Sequence, residues 1–354
     1  MVSICKYAIK NEYDLDRLKD VWTPLEAGEE MTAFQTLEWN RLLIKEWEGW
    51  QLHALYSKVY VYAAFEGREP VMLFPAIVYT MTTKTKWFGS KKGVYLLGQG
   101  SYSDYMTPIY RSFSAEAFEA ICAAIRREFP GYPICLNSVR ADSQLAAYLS
   151  EKGVRREVFT VALAVKRKAS VEEYKASLTK KTRANLRKAM NRIERDGLDF
   201  RLEIRGPIHD QALLDQMVGI HVARILTKNT KHEGVLHVLS SYVRKAYRKY
   251  RDLNNNIIAM CMQENPHSVV ILVRINGKLV GYQYGLREEH VLRLLQTCFD
   301  EEYKFYSPVF RAGYDFICQS YEDESLWEID FTRGDEEFKY RLGGEELELY
   351  EFSL

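Results

Sequence analysis

The chain has 354 residues, of which 47% are hydrophobic and 27% are charged, so it can bury a core and is not disordered throughout. At about 100–200 residues per domain, this length predicts two domains. The 49 basic and 48 acidic side chains nearly cancel, which argues against a histone-like DNA-binding protein. No apolar run approaches the roughly 18 residues of a membrane-spanning helix, and the N-terminus turns polar too early for a signal peptide. Because the six cysteines are scattered without a CxxC pair, we expect reduced thiols and a cytoplasmic protein.

The first half of the chain alternates helix and strand signals. Helical spacing of apolar residues predicts a helix over 35–47. Two β-rich runs around Gly67 predict a hairpin over 59–79. The elements expected after an irregular glycine-rich stretch are a helix over 115–128, a strand over 133–138, a helix over 143–152 and a strand over 155–165.

The second half follows the same plan in outline. Its expected elements are a hairpin over 269–286, a strand over 291–299, a helix over 308–321, a strand over 326–331 and a short helical stretch up to 342. This similarity predicts two copies of one α+β unit. Two unrelated α/β domains with ordinary hairpins are the alternative. We place the boundary so that residues 1–165 form the first domain and residues 166–354 the second.

A basic segment opens the second domain. Residues 166–195 contain eleven basic and three acidic residues, a net charge of +8. Ser170 and Glu173 have the spacing of a capping box, and Gly197 is typical of a helix end. A solvated helix face would explain the charge, but its local bias also suits a phosphate or pyrophosphate ligand. Since the helix lacks interleaved aromatic residues for base stacking, DNA is not the expected partner.

The C-terminal segment is acidic, since residues 322–354 contain twelve acidic and three basic residues. Part of this charge could simply complement the basic segment. A strand that alternates apolar and polar residues ends near Thr332 and is followed by a turn over 333–335. We expect Asp335 to cap the helix after this turn. Polar groups gathered beyond the C-terminal end of a strand are typical of ligand sites in α/β-type folds.

Two stretches carry a family resemblance. Residues 330–344 read DFTRGDEEFKYRLGG and residues 177–197 read SLTKKTRANLRKAMNRIERDG. They resemble the DFxRGDExYKxxxG signature and the SLSKKxRxNLRR helix of the CelD-type, cellulose-biosynthesis-like group of GNAT-superfamily acyltransferases. Residues 279–282 and 300–312 resemble the central strand and the FDxxYxxxSPG segment of the same group, with Val309 in place of the SPG glycine. The resemblance spans nearly the whole chain.

The resemblance implies an α+β fold of two tandem GNAT-like units, each a mixed, mostly antiparallel sheet with flanking helices, as in Fem-type aminoacyl transferases. It implies an N-acetyltransferase that uses acetyl-CoA as co-substrate and needs no metal. The implied acceptor is an amine of an amino sugar or of another cell-surface polysaccharide precursor. No DNA partner and no membrane span are expected.

The resemblance also places the candidate site residues. The catalytic candidates are Asp330, as a base or orienting carboxylate, and Tyr340, as the acid that protonates the departing thiolate. A salt bridge of Asp330 with Arg333 or with the basic helix is the structural alternative. The candidates for binding the CoA donor are Ser307, Arg311, Arg333 and Lys339. The candidates for binding the acceptor are Lys181, Arg183, Asn185, Arg187, Asp104 and Tyr105.

Two other functions remain open at this stage. One is a Fem-like aminoacyl transferase that takes its donor from aminoacyl-tRNA. The other is a non-catalytic GNAT-fold module that binds a phosphorylated glycan or a partner protein. The seven histidines are dispersed, with no pattern of a site, and Cys298 is most simply a core residue.

Overall fold

The computed structural model describes residues 2–49, 56–84, 89–99, 103–229 and 257–354. The chain divides into two compact units. Unit 1 comprises Met1–Val161 together with Leu347–Leu354, and unit 2 comprises Ala162–Glu346. Sequence analysis placed the boundary between residues 165 and 166. The structural division therefore falls four residues earlier and assigns the last eight residues to unit 1.

The helices and strands are numbered here in chain order. The helices are α1 Lys19–Trp22, α2 Leu37–Gly49, α3 Ala115–Glu128, α4 Gln144–Glu151, α5 Val171–Ser177, α6 Lys180–Arg195, α7 Gln211–Asn229, α8 Ile257–Glu264, α9 Pro308–Gln319 and α10 Glu337–Arg341. The strands are β1 Val2–Ile9, β2 Ser57–Glu66, β3 Glu69–Tyr79, β4 Thr83–Lys84, β5 Gly89–Ser90, β6 Gly93–Leu96, β7 Ile134–Arg140, β8 Arg156–Lys166, β9 Phe200–Arg205, β10 Ser268–Ile275, β11 Lys278–Arg287, β12 Val291–Phe299, β13 Glu328–Arg333 and β14 Glu345–Ser353.

Each unit contains a mixed sheet with the same strand plan. The order is β1-β2-β3-β6-β7-β14 in unit 1 and β9-β10-β11-β12-β13-β8 in unit 2. In both, the fourth and fifth strands are parallel and the other neighbours are antiparallel. A helix joins the parallel pair, α3 in unit 1 and α9 in unit 2. The matching plans confirm the predicted α+β fold built from two copies of one unit.

The repeat extends to backbone detail. The fifth strand of each unit contains a residue other than glycine with a positive φ, Ser138 at 57° and Thr332 at 54°. At this point each fifth strand also shifts register against its sixth strand. The sixth strand of unit 1 is β14, from the C-terminal end of the chain, and that of unit 2 is β8, whose first residues, 156–161, belong to unit 1. The order of strands along the chain therefore differs from their order in the sheets.

The predicted elements form for the physical reasons that their sequences suggest. The β10–β11 hairpin turns at Asn276 and Gly277, whose φ angles of 50° and 79° suit an Asn-Gly turn. Apolar side chains of β10, β12 and β13 form the core of unit 2 with one face of α9 and with Leu186 of α6. A second core lies in unit 1, between its sheet and α3.

The basic segment and the turn after β13 differ from expectation. The basic segment forms two helices, because Leu178 is extended and Thr179 caps α6 by accepting from Thr182 N–H at 3.1 Å. The prediction that Asp335 caps the following helix was wrong. Glu336 occupies the N-cap position of α10, and within the described residues no side chain caps this helix.

Candidate active site

Unit 2 contains a cavity where two parallel strands part. β12 and β13 are in register only at Val291/Glu328, Leu292/Ile329 and Arg293/Asp330. Beyond this point β12 continues along β11 as far as Phe299. Its other edge opens onto a cavity of about 820 Å³ that is also lined by residues of the β13–α10 segment. This volume falls in the usual range for a small-molecule site.

A buried ion pair joins β12 and β13 at the last position of their pairing, next to the cavity-lining residues Leu294 and Phe331. The Arg293 guanidinium donates to Asp330 and, at 2.7 Å, to Glu288. The second carboxylate oxygen of Asp330 accepts from Thr332 N–H at 2.7 Å, where the backbone has its positive φ. Only 2% of the Asp330 side chain is exposed. Both carboxylate oxygens of Asp330 therefore accept hydrogen bonds from within the protein, and these bonds fix the backbone at the end of β13.

Lys339 holds the turn that follows β13. Its ammonium group lies 3.3, 2.7 and 3.2 Å from the carbonyl oxygens of Thr332, Arg333 and Gly334, and 2.9 Å from a carboxylate oxygen of Glu336. Lys339 lines the cavity but is only 5% exposed. Its donors are thus used within the protein, and they fix the backbone that carries Arg333 into the cavity lining.

The N-terminus of α9 forms another wall of the cavity. Ser307 is left-handed (φ 50°), Pro308 takes the first helical position, and within the described residues no side chain caps the helix. The first amide bonded within the helix is Arg311 N–H, which donates to Ser307 O at 3.0 Å. The amides of Val309 and Phe310 precede it, and both residues line the cavity together with Lys304. An uncapped helix start beside a lysine is suited to binding an anion.

Residues of α7 and the last residues of β12 also line the cavity. His221 Nδ1 lies 3.9 Å from Cys298 Sγ, and both residues line the cavity. Arg224 donates to Thr297 O at 3.1 Å and lies 4.3 Å from the centre of the Phe299 ring. Sequence analysis missed this group, because His221 and Cys298 are 77 positions apart and no motif links them.

Several predicted residues lie outside this cavity lining. Arg311 pairs with Asp315 at 2.6 Å and packs over the Phe200 ring. Arg183 donates to the carbonyls of Ala176 and Leu178, so it closes the C-terminal end of α5. Tyr340 donates to the Glu346 carboxylate, and this bond raises the pKa of Tyr340 to about 12.

The other predicted residues are on the surface of α6 or inside unit 1. On α6, Lys181 and Arg187 are exposed and Asn185 is half-buried. Asp104 and Tyr105 are buried in unit 1, 5% and 3% exposed, and the Tyr105 carbonyl accepts from the Gln35 amide at 3.0 Å. The structure thus brings Ser307, Arg333 and Lys339 together at the cavity, whereas Asp104 and Tyr105 belong to the interior of unit 1.

The described residues contain neither a metal-binding cluster nor a membrane-spanning helix. Across the described ranges, no three or more His, Cys, Asp or Glu side chains are grouped so that they could hold a metal ion. Within the same ranges, no helix combines the length and the apolar character that crossing a membrane requires.

Comparisons with known proteins agree with this architecture. Residues 180–340 match the family model of the acetyltransferase (GNAT) domain. The chain is similar to a conserved protein of unknown function from Bacteroides thetaiotaomicron VPI-5482, with a TM-score of 0.57, 13% identity and complete coverage of both chains. A comparison with curated proteins finds no significant match.

Two further solved structures are similar over most of their length. One is L-PGS from Bacillus licheniformis, with a TM-score of 0.53, 13% identity and coverage of 97% of this chain and 92% of that one. The other is the C-terminal domain (DUF2156) of a putative lysylphosphatidylglycerol synthetase from Agrobacterium fabrum, with a TM-score of 0.50, 12% identity and the same coverage. At such identities the likeness concerns the fold alone. The chain therefore has the GNAT fold, and its residues 180–340 match the acetyltransferase domain of that superfamily.

Proposed function

We propose that unit 2 transfers an acyl group, most simply acetyl, from the thioester of acyl-CoA to a primary amine. One observation carries this proposal. The gap between β12 and β13 and the uncapped start of α9 open into the same cavity. A thioester chain can lie along the open edge of β12 while its pyrophosphate reaches the helix amides.

The donor end of the proposed site is cationic. The amides of Val309 and Phe310 bind the pyrophosphate, and Lys304 and Arg333, which also line the cavity, add positive charge. Val309 stands where the resembling family has glycine. A Cβ atom on Gly281 would come within 3.0 Å of Val309 Cγ2, so the valine side chain packs towards β11. The valine is therefore compatible with the proposed binding of pyrophosphate by the amides of this turn.

The chemistry proceeds by direct transfer. The acceptor amine attacks the thioester carbon, and His221 takes its proton. Leu295 is the extra residue of a β-bulge, since the register steps from Leu294/Gly285 to Gln296/Tyr284. A bulge turns an amide away from the ladder, and we assign the Leu295 amide to stabilising the tetrahedral oxyanion. Collapse breaks the carbon–sulfur bond, giving the amide product and a CoA thiolate that takes up a proton.

The acceptor is proposed to be an amino sugar or a related polysaccharide precursor. The cavity lining includes Glu301, Glu336 and Glu337, whose carboxylate oxygens can accept hydrogen bonds from the hydroxyl and amino groups of a sugar. The choice of a sugar rests on the resemblance to the CelD-type signature. A Fem-like aminoacyl transferase would have the same cavity but a different donor, so the donor must be measured.

The test is calorimetric binding of acetyl-CoA together with release of free thiol in the presence of glucosamine. We expect micromolar binding, weakened about tenfold by Arg333→Ala or Lys304→Ala. Lys180→Ala is the matched control, because Lys180 is an exposed lysine outside the cavity lining. Absence of binding at millimolar acetyl-CoA would contradict this donor, and acyl transfer from an aminoacyl-tRNA would then support the alternative.

A further inference from the structure

One face of α6 presents basic residues at helical spacing. Arg187, Lys188, Arg192 and Arg195, with the smaller Ala184 and Asn191, line a surface depression of about 440 Å³. We call the four basic residues the cationic stripe. From residue 184 to 195 the depression runs about 16 Å along the helix. The opposite face of α6 is buried through Leu186, Ala189 and Ile193, so the stripe is the outward face of a well-packed helix.

The stripe is connected to the segment that leads into α9. Arg192 donates to Phe305 O at 2.6 Å, and its guanidinium lies 4.0 Å from the centre of the Phe305 ring. Phe305 is 48% exposed. Its neighbour Lys304 lines the cavity, and Ser307 begins the helix two positions later. Residues 304–307 therefore bridge the cavity and the stripe.

The charge of the stripe is only partly neutralised. Arg195 pairs with Asp196 at 2.7 Å, and Asp196 also accepts from Tyr306 at 2.9 Å. Arg187 and Lys188 are exposed, and within the described part of the chain neither has a hydrogen-bond or ion-pair partner. Arg187 and Lys188 share the depression with Arg192, which lies against the exposed Phe305 ring. This combination of cations and an aromatic ring suits a ligand that joins a phosphate to a planar base.

We propose that the cationic stripe and Phe305 bind the 3′-phosphoadenosine end of CoA. This inference rests on the proposed function, because it takes the pyrophosphate to lie at the start of α9. From there the nucleotide leaves the cavity past residues 304–307. Its adenine stacks on Phe305, and its 3′-phosphate meets Arg187 and Lys188. The basic segment thus acts in donor binding, although it precedes β9 and lies outside the strands that form the cavity.

The test compares CoA with dephospho-CoA, which lacks only the 3′-phosphate, by calorimetry on the full chain. We expect the wild type to bind CoA at least tenfold more tightly than dephospho-CoA. Arg187→Glu and Lys188→Glu should remove most of this difference and change dephospho-CoA binding less than about threefold. Lys180→Glu is the matched control, since it makes the same charge change about 12 Å along the same helix, beyond a Debye length at physiological salt.

The variant Phe305→Ala tests the binding of adenine separately from the binding of the 3′-phosphate. Both nucleotides contain adenine, so this variant should weaken both about equally and preserve their ratio. Equal wild-type affinity for the two nucleotides would overturn the proposal, and so would a uniform loss in the stripe variants. If an RNA oligonucleotide binds through Arg187 and Lys188 while nucleotide discrimination is unchanged, the stripe serves RNA instead. A wild type that binds neither nucleotide would refute the proposed function as well.

Discussion

Arg293 and Asp330 form a buried ion pair at the last position where β12 and β13 are in register. Their side chains are only 7% and 2% exposed. The pair joins the two strands just before they diverge, and Asp330 also anchors the Thr332 amide at 2.7 Å. The chain neighbours of the pair, Leu294 and Phe331, line the cavity, so the integrity of the ion pair should control both stability and activity.

The first prediction concerns removal of one partner. Asp330→Ala leaves the buried Arg293 guanidinium with Glu288 as a remaining carboxylate partner. The loss of the opposite buried charge should lower the free energy of unfolding by about 3–5 kcal/mol. Urea denaturation followed by fluorescence measures this change. The paired variant Arg293→Met with Asp330→Leu should recover part of the loss, because burying two apolar groups avoids the desolvation of two charges. Recovery is incomplete because Glu288 and the Thr332 amide each lose a partner. A stable Asp330→Ala protein with abolished turnover would instead support Asp330 as a catalytic base.

The second prediction concerns the clamp on the β13–α10 turn. Lys339→Met removes the donors that hold the carbonyls of Thr332, Arg333 and Gly334. We expect the free energy of unfolding to fall by about 1–3 kcal/mol. We also expect a lower affinity for acetyl-CoA, because Arg333 is displaced. Thermal melting and calorimetry measure the two effects. Lys180→Met, at an exposed position, should change neither.

The third prediction distinguishes direct transfer of the acyl group to the amine from transfer through an acylated Cys298. His221→Ala should lower kcat about 10²–10⁴-fold, because the proton acceptor is lost. Cys298→Ala should retain kcat within about tenfold. Mass spectrometry of the protein with acetyl-CoA alone should find Cys298 unmodified. An acetylated Cys298, with turnover lost in Cys298→Ala, would refute direct transfer.

The fourth prediction concerns the packing of α9 on β11. A Cβ atom on Gly281 would lie 3.0 Å from both Cys298 O and Val309 Cγ2. Gly281→Ala should therefore displace the start of α9, cost about 1–3 kcal/mol of stability and weaken acetyl-CoA binding. Gly219→Ala is the control, because nothing lies within 4 Å of its added methyl and Ala favours helix α7. Calorimetry should show unchanged affinity in the control.

The fifth prediction concerns alkaline stability. Burial raises the pKa of Tyr174 and of Tyr284. The unfolded chain loses these protons near pH 10 while the folded protein keeps them, so stability should be complete below pH 10 and fall as pH rises above it. Melting temperatures between pH 8 and 11 measure the slope. Tyr174→Phe should flatten it, although it also loses a 3.1 Å hydrogen bond to Leu342 O. Tyr13→Phe, at a residue 70% exposed, should leave the slope unchanged.

Local sequence patterns determined much of the architecture by themselves. The helix over 115–128 and the strand over 291–299 have the predicted bounds, because capping residues and β-branched runs are local signals. The repeat was also visible, since each half carries the same order of turns and apolar runs. Arg333 and Ser307 were identified through motifs and do line the cavity.

Other features depended on the tertiary structure. The role of Lys339 could not be predicted, because a lysine motif does not reveal three carbonyl oxygens within reach of its ammonium group. His221 reaches the cavity through packing of α7, 77 positions away from Cys298. The pairing of β14 with β7 and of β8 with β13 is likewise not predicted by any local pattern. Short-range preferences decide where an element begins and ends, whereas pairing between distant strands decides which side chains share a site.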